Sequence, residues 1–217
     1  MSIRTRWGAL ALALLVVGGA GCRSIYYDAW ESVGVEKRHI LADRVEKGRE
    51  DQQEAQEQFQ TTFDAFQALT GYEGGDLERI YRKLAGEFED SEEAAQEVRD
   101  RIASIDQVAR DLFTEWERER VEISDPGLRS RSRAKLRDTL ASYGRMLRAM
   151  QRASRRMDPV LAAFRDRVLY LKHNLNASAI ASLEGDVGEI RSDVRGLIDE
   201  MNASISEADR FLSGFER

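Results

Sequence analysis

Apolar side chains return along this chain at alternating steps of four and three residues. The series Leu136, Leu140, Tyr143, Leu147, Met150, Ser154, Met157, Leu161, Phe164, Val168, Leu171 holds that rhythm over five heptads. Ile180, Leu183, Val187, Ile190, Val194, Leu197, Met201, Ser204, Ala208, Phe211 and Phe215 do the same. A mean step of 3.5 keeps one stripe of an α-helix facing a partner helix along its length. Val98, Ile102, Ile105, Ala109, Leu112 and Trp116 form a third series. Leu41, Val45, Gly48, Gln52, Ala55, Phe59, Thr62, Phe66 and Leu69 form a fourth, with a polar middle. Alternation of period two never persists beyond a few residues.

Turn chemistry divides these series. Gly71-Tyr72-Glu73-Gly74-Gly75-Asp76, Ser124-Asp125-Pro126-Gly127 and Asn174-Leu175-Asn176-Ala177-Ser178 interrupt the helical pattern. The rods predicted are about 26–70, 76–123, 128–173 and 178–214, with Ser178 capping the last. Four rods of similar length joined by short turns predict an all-α fold, an elongated antiparallel four-helix coiled-coil-like bundle of up-down-up-down order. Asp90-Ser91-Glu92-Glu93 has the form of a capping box and predicts a joint in the second rod. Pro159 falls inside the third rod without shifting the heptad phase, which predicts a kink and not an end. Gly48 and Gln52 in the first core series mark either a hinge or a close approach of helices.

Composition narrows the class. The chain has 217 residues, 42% of them hydrophobic, and two prolines, so long helices are permitted and a core is affordable. One cysteine excludes a disulfide framework and a cysteine zinc site. That cysteine has a particular setting. Arg4 and Arg6 precede an apolar run from Trp7 to Val17, then small residues, then Cys22. A basic start, a short apolar stretch and small residues before a cut describe a secretory signal, and eleven apolar residues are too few to span a bilayer. Ala20-Gly21-Cys22 resembles a bacterial lipobox, with Gly19 where Leu, Val or Ile is usual. The resemblance implies cleavage after residue 21 and acylation of Cys22. Arg23 after the cysteine resembles the outer-membrane sorting signal of enteric bacteria. The organisation expected is a signal peptide over 1–21, a lipidated terminus and short linker over 22–27, and the bundle over 28–217. Tyr26, Tyr27 and Trp30 follow closely and suit either the headgroup interface or the first core layer.

Two strings carry a further resemblance, Gly34-Val35-Glu36-Lys37-Arg38-His39-Ile40-Leu41-Ala42-Asp43-Arg44-Val45 and Val168-Leu169-Tyr170-Leu171-Lys172-His173-Asn174-Leu175-Asn176-Ala177. Here the chain resembles a group of uncharacterised Gram-negative lipoproteins known only as a domain of unknown function. The resemblance implies a lipidated, all-helical envelope protein, and Arg23 is what places it, as an expectation, at the periplasmic face of the outer membrane. The resemblance carries no activity and no site residues.

Candidate chemistry is sparse. Glu36-Lys37-Arg38-His39 has the Glu-x-x-His spacing of a di-iron ligand pair, but such a site needs the motif twice. The second histidine, His173, has Tyr170 in the carboxylate's place. No metal and no cofactor are expected, and with no nucleophile–base pair evident, no enzyme. Residues 128–172 carry thirteen basic and three acidic groups, whereas residues 23–127 carry 14 and 27. Pairing of Arg145, Arg148, Arg152 and Arg155 with the first two rods is the cheaper reading, ahead of nucleic acid or anionic lipid. Tyr72, Lys172, His173, Asn174 and Asn176 gather at the turns farthest from Cys22 and are the candidate partner-binding residues. Helix capping is their competing role. The function expected is a non-catalytic scaffold or adaptor for an envelope protein, held to the membrane by its lipid. The alternative is a self-assembling spacer or membrane-remodelling protein, which would make it a homo-oligomer.

Overall fold

A computed structural model describes residues 37–72, 74 and 76–215. Cys22, Tyr26, Tyr27, Trp30 and Glu36, with the signal-peptide reading, lie outside those residues. Residues 37–215 form a compact all-helical unit. Helix α1 spans Lys37–Thr70, α2 Leu77–Arg120 and α3 Pro126–His173. The fourth rod is α4, Ala177–Leu183, a 3-10 turn at Glu184–Asp186, and α5, Val187–Phe215. At 1.5 Å per residue α3 is roughly 70 Å long.

Helix α1 packs on α2 and α5, and α3 packs on the same two, so consecutive rods are neighbours around a square. Charged pairs fix their direction and register. Arg49 meets Asp209 at 3.3 Å, and Gln56, one heptad on, meets Asn202, one heptad back. Between α3 and α5, Arg145–Glu207 and Arg152–Glu200 repeat that step. Between α2 and α3, Arg99–Asp158 and Glu92–Arg165 do so. Lys37–Glu115 and Asp51–Arg101 are two heptads apart across α1 and α2. All four seams are antiparallel, and each is marked at heptad spacing. The turn after α1 and the turn after α3 therefore share one end, here the far end. The start of α1, the α2–α3 turn and the end of α5 share the other, here the entry end.

All nine positions of the α1 series are buried, Gln52 and Thr62 included. Gly48 is a site of close approach: a Cβ there would lie 2.8 Å from Ile105 Cδ1 and 3.2 Å from Arg101 Cγ. In α2, Val98, Ile102, Ile105 and Ala109 are buried, whereas Leu112 and Trp116 are half-buried and Phe113 takes the core position. No joint interrupts α2 at Asp90. Ser91 turns inward instead, its hydroxyl 2.7 Å from that of buried Thr62.

The α3 series needs correction. Leu136, Tyr143, Met150, Met157, Phe164 and Leu171 are buried as expected, but Leu140 is exposed and Leu147 and Ser154 are half-buried. Thr139, Met146 and Ala153, one residue earlier, take their places. Beyond Pro159 the stripe moves on by one: Val160 and Leu161 are both buried, then Val168. A straight helix of 3.6 residues per turn drifts about 20° per heptad against a 3.5 repeat, close to one position over four heptads. The helix continues through Pro159, as expected. The fourth rod is interrupted at Glu184–Asp186, where the heptad pattern gave no sign of it, and Val187 beside the turn is only half-buried. Its cap is Asn176, whose Oδ1 accepts from the Ala179 N–H at 3.0 Å; Ser178 does not cap it.

Candidate functional site

The far end is built from two terminating helices. Thr70 ends α1 with its hydroxyl bonded to the Phe66 and Gln67 carbonyls. The chain turns through Gly74, whose φ of 142° is a conformation that a side chain disfavours. Asp76 then caps α2 by accepting from the Arg79 N–H. Opposite, α3 ends at Lys172 and His173, both exposed, two cations suited to a helix C-terminus. Asn174 closes that helix, with its N–H on the Leu171 carbonyl and its side-chain amide on that of Tyr170. Its φ of −131° is not the left-handed cap expected of an asparagine there.

Tyr72, Lys172, His173, Asn174 and Asn176 thus lie on turns at the same end. Asn174 and Asn176 have capping roles and Tyr72 is half-buried, which leaves Lys172 and His173 as the outward polar groups. The structure adds two residues that sequence reasoning passed over. Leu169 is 50% exposed and Tyr170 is 42% exposed, on the last turns of α3. Tyr170 rests its hydroxyl 3.4 Å from that of Ser182, and Arg167 pairs with Asp186 nearby. Both lie off the core series, a signal legible in the sequence once the buried stripe is known. Together they form a small amphipathic surface with an imidazole and an ammonium at its edge.

His39 stands exposed in the first turn of α1 at the entry end, while His173 is at the far end. The two imidazoles cannot share a metal ion. Among the described residues no group of three or more His, Cys, Asp or Glu side chains is placed to hold one. No helix among them is long and apolar enough to cross a membrane.

The entry end has its own chemistry. Tyr143 is buried, packs edge-on to Phe113 and Phe211, and donates its hydroxyl to Asp106 at 3.0 Å. Burial, helped by the adjacent carboxylate, pushes its phenol well above the usual range. Phe211 stacks on Phe215, and Arg38 lies over that ring and bonds to its carbonyl. A cleft of about 200 Å³ runs between α3 and α5 here, lined by Lys135, Asp138, Thr139, Ser142, Phe211 and Phe215. The arginines of α3 do pair internally, but chiefly with the fourth rod. Arg145, Arg152, Arg156 and Arg167 meet Glu207, Glu200, Asp193 and Asp186. Arg165 reaches an acid of the first two rods, Glu92. The square arrangement explains this, since α1 is diagonal to α3.

With this geometry in hand, residues 26–215 match a family described as a protein of unknown function, DUF2959. The chain belongs to that family. The match takes in every helix from α1 to α5 and contains both strings that carried the resemblance. DUF2959 names no activity for the far-end residues. No curated protein and no solved structure matches the chain.

Proposed function

We propose that this DUF2959 protein is a lipoprotein of the outer membrane, anchored at the periplasmic face through acylated Cys22, and that its bundle is a non-catalytic scaffold or adaptor. The observation that carries the reading is the exposed Leu169–Tyr170 surface, set beside Lys172 and His173 at the end of the rod opposite the entry of the chain. Apolar side chains held out on a rigid helix end, ringed by polar groups, suit contact with another protein. Heptad-spaced polar and charged pairs on all four seams support a rod of fixed register, roughly 70 Å long along α3, with that surface at the end away from the entry of the chain. The partner is an envelope protein reached from the membrane. No nucleic acid and no cofactor enter the reading.

Two experiments test it. Cys22→Ala should move the protein from the membrane to the soluble fraction of cells, and full retention would remove the anchor. A photo-crosslinking residue at Tyr72, Tyr170 or His173 should give one dominant protein adduct in living cells. Adducts with the chain itself, or with lipid alone, would instead favour the self-assembling spacer.

A further inference from the structure

The thirteen cations of the α3 region fall into two groups with different surroundings. From Arg145 onward, five of them meet carboxylates on neighbouring rods. The first five, Arg129, Arg131, Arg133, Lys135 and Arg137, occupy the first three turns with no acid among them until Asp138. All five are exposed, and among the described residues none has an ion pair with another helix. Arg129 bonds to the carbonyls of Ile123 and Ser124, Lys135 to that of Gly214, and Arg137 pairs with the adjacent Asp138. Arg133 lies close enough to Glu117 to help hold its carboxyl below the ordinary value, an effect due first to the Arg120 bond. Arg118 and Arg120 are matched by Glu115 and Glu117, so the excess of positive charge lies in residues 126–137, which carry five cations and no anion. An otherwise acidic protein is thus basic at this corner.

Apolar side chains stand in the same place. Val121 is 60% exposed and Leu128 52% exposed, on either side of the α2–α3 turn, where a soluble tip would be expected to be polar. Cations around protruding aliphatic groups fit a phospholipid surface, with charge meeting the phosphates and the aliphatic tips entering the headgroup layer. Position agrees. The turn shares the entry end with Lys37, and fourteen residues lie between Cys22 and Lys37 in the sequence. Fifteen chain steps reach at most about 50 Å, which bounds the distance from an anchor at Cys22 to the entry end.

We propose that the α2–α3 turn and the first three turns of α3 form a docking surface for anionic phospholipid headgroups, which stands the rod upright on the bilayer that holds its anchor. The placement of the bilayer rests on the Cys22 reading; the affinity of the surface for lipid does not. Its test therefore uses no acyl chain. Residues 22–217 carrying Cys22→Ser are sedimented with vesicles of phosphatidylglycerol and phosphatidylethanolamine, or of phosphatidylcholine alone, at low and at high salt. One variant carries Arg131→Gln, Arg133→Gln and Arg137→Gln. A charge-matched control carries Arg148→Gln, Arg152→Gln and Arg155→Gln.

Each cation at an anionic surface contributes about fivefold in binding, screened beyond about 10 Å at 0.1 M salt. The unsubstituted chain should favour the anionic vesicles, lose binding at high salt, and lose it at least tenfold in the first variant. The control should stay within twofold. Equal binding to both vesicles, no binding to either, or equal loss in both variants would overturn the proposal. Should the triple variant lose its helical spectrum, Arg131→Glu, at an exposed position, reads the same surface. Release of Cys22→Ala from membranes in cells is a separate result, so anchor and docking surface can fail independently.

Discussion

Two layers of the same bundle solve the core in opposite ways. Around Tyr143 the four helices close on rings: Phe113, Tyr143, Phe211 and Phe215 contact one another in sequence, with Arg38 of α1 over the last. About two turns along α3 the core is made of Gly48, Gln52, Met150, Met201 and Ser204, all buried. There Gln52 donates to the Gly48 carbonyl at 3.0 Å, and its Oε1 and the Ser204 hydroxyl have no partner among the described residues. The register set by Arg49–Asp209 and Gln56–Asn202 puts Gln52 and Ser204 within one turn of each other along the rod. Aromatic layers supply stability through area and contact. A polar layer costs stability, and in coiled coils such positions fix register. A long bundle with a uniform 3.5 repeat could slide by a heptad, and the polar layer is a mark that only one alignment brings together.

The largest way to break this contrast is at the rings. Phe211→Ala should lower unfolding stability by about 3–5 kcal/mol in denaturant titrations, because Phe211 joins Tyr143 to Phe215. A loss below about 1 kcal/mol would show that the layer repacks. Gly48→Leu should cost about 1–3 kcal/mol by overpacking against Ile105 and Arg101. A gain there would mean that the helices separate freely at the polar layer.

Gln52→Leu has the opposite sign. It removes an unpartnered buried acceptor, and the Gly48 carbonyl loses only a secondary bond, so stability should rise by about 1–2 kcal/mol. If it falls, Gln52 holds a partner such as an ordered water. Combined with Ser204→Ala it should weaken register, visible as loss of a crosslink designed between positions 56 and 202.

Tyr143→Phe is smaller, about 1 kcal/mol for one hydrogen bond to Asp106, and it carries a pH signature. The folded phenol is raised above its unfolded value of about 10. Its contribution is therefore complete below about pH 10 and is lost as pH rises toward the folded value. Wild-type stability should fall in that alkaline range more steeply than that of the Phe variant, as seen by circular dichroism. Smallest of all, Arg152→Glu should cost a few tenths of a kcal/mol, restored by Glu200→Arg, since both groups are exposed.

How far the pattern could be read differs from helix to helix. In α1 all nine positions of the series are buried, even Gly48, Gln52 and Thr62, because apolar residues on both sides fixed the phase; Ile40, Phe63, Ala65 and Thr70 are buried beside them and stood outside the series. In α3 the reading followed the leucines, Leu140 and Leu147, which lie one residue outside the seam that Thr139, Met146 and Ala153 form. Residue hydrophobicity favours Leu, but four-helix packing assigns the inner position to whichever residue faces the neighbouring backbones. The capping box at Asp90 failed for a related reason: Ser91 found Thr62 across the seam, a partner 29 residues away. At the far end the polar candidates were legible as turn residues, whereas Leu169 and Tyr170 became candidates only when burial separated them from Leu171 and Val168.

The sequence by itself determined that the chain is helical, how many rods it has, and roughly where they turn. Those are properties of periodicity and of turn residues, and both act within a few neighbours. The tertiary structure decided which side of α3 is buried, that its arginines pair with the fourth rod, and that the fourth rod breaks at Glu184–Asp186. Each of these depends on which helices are adjacent and which are diagonal, and adjacency is set by packing among residues far apart in the chain.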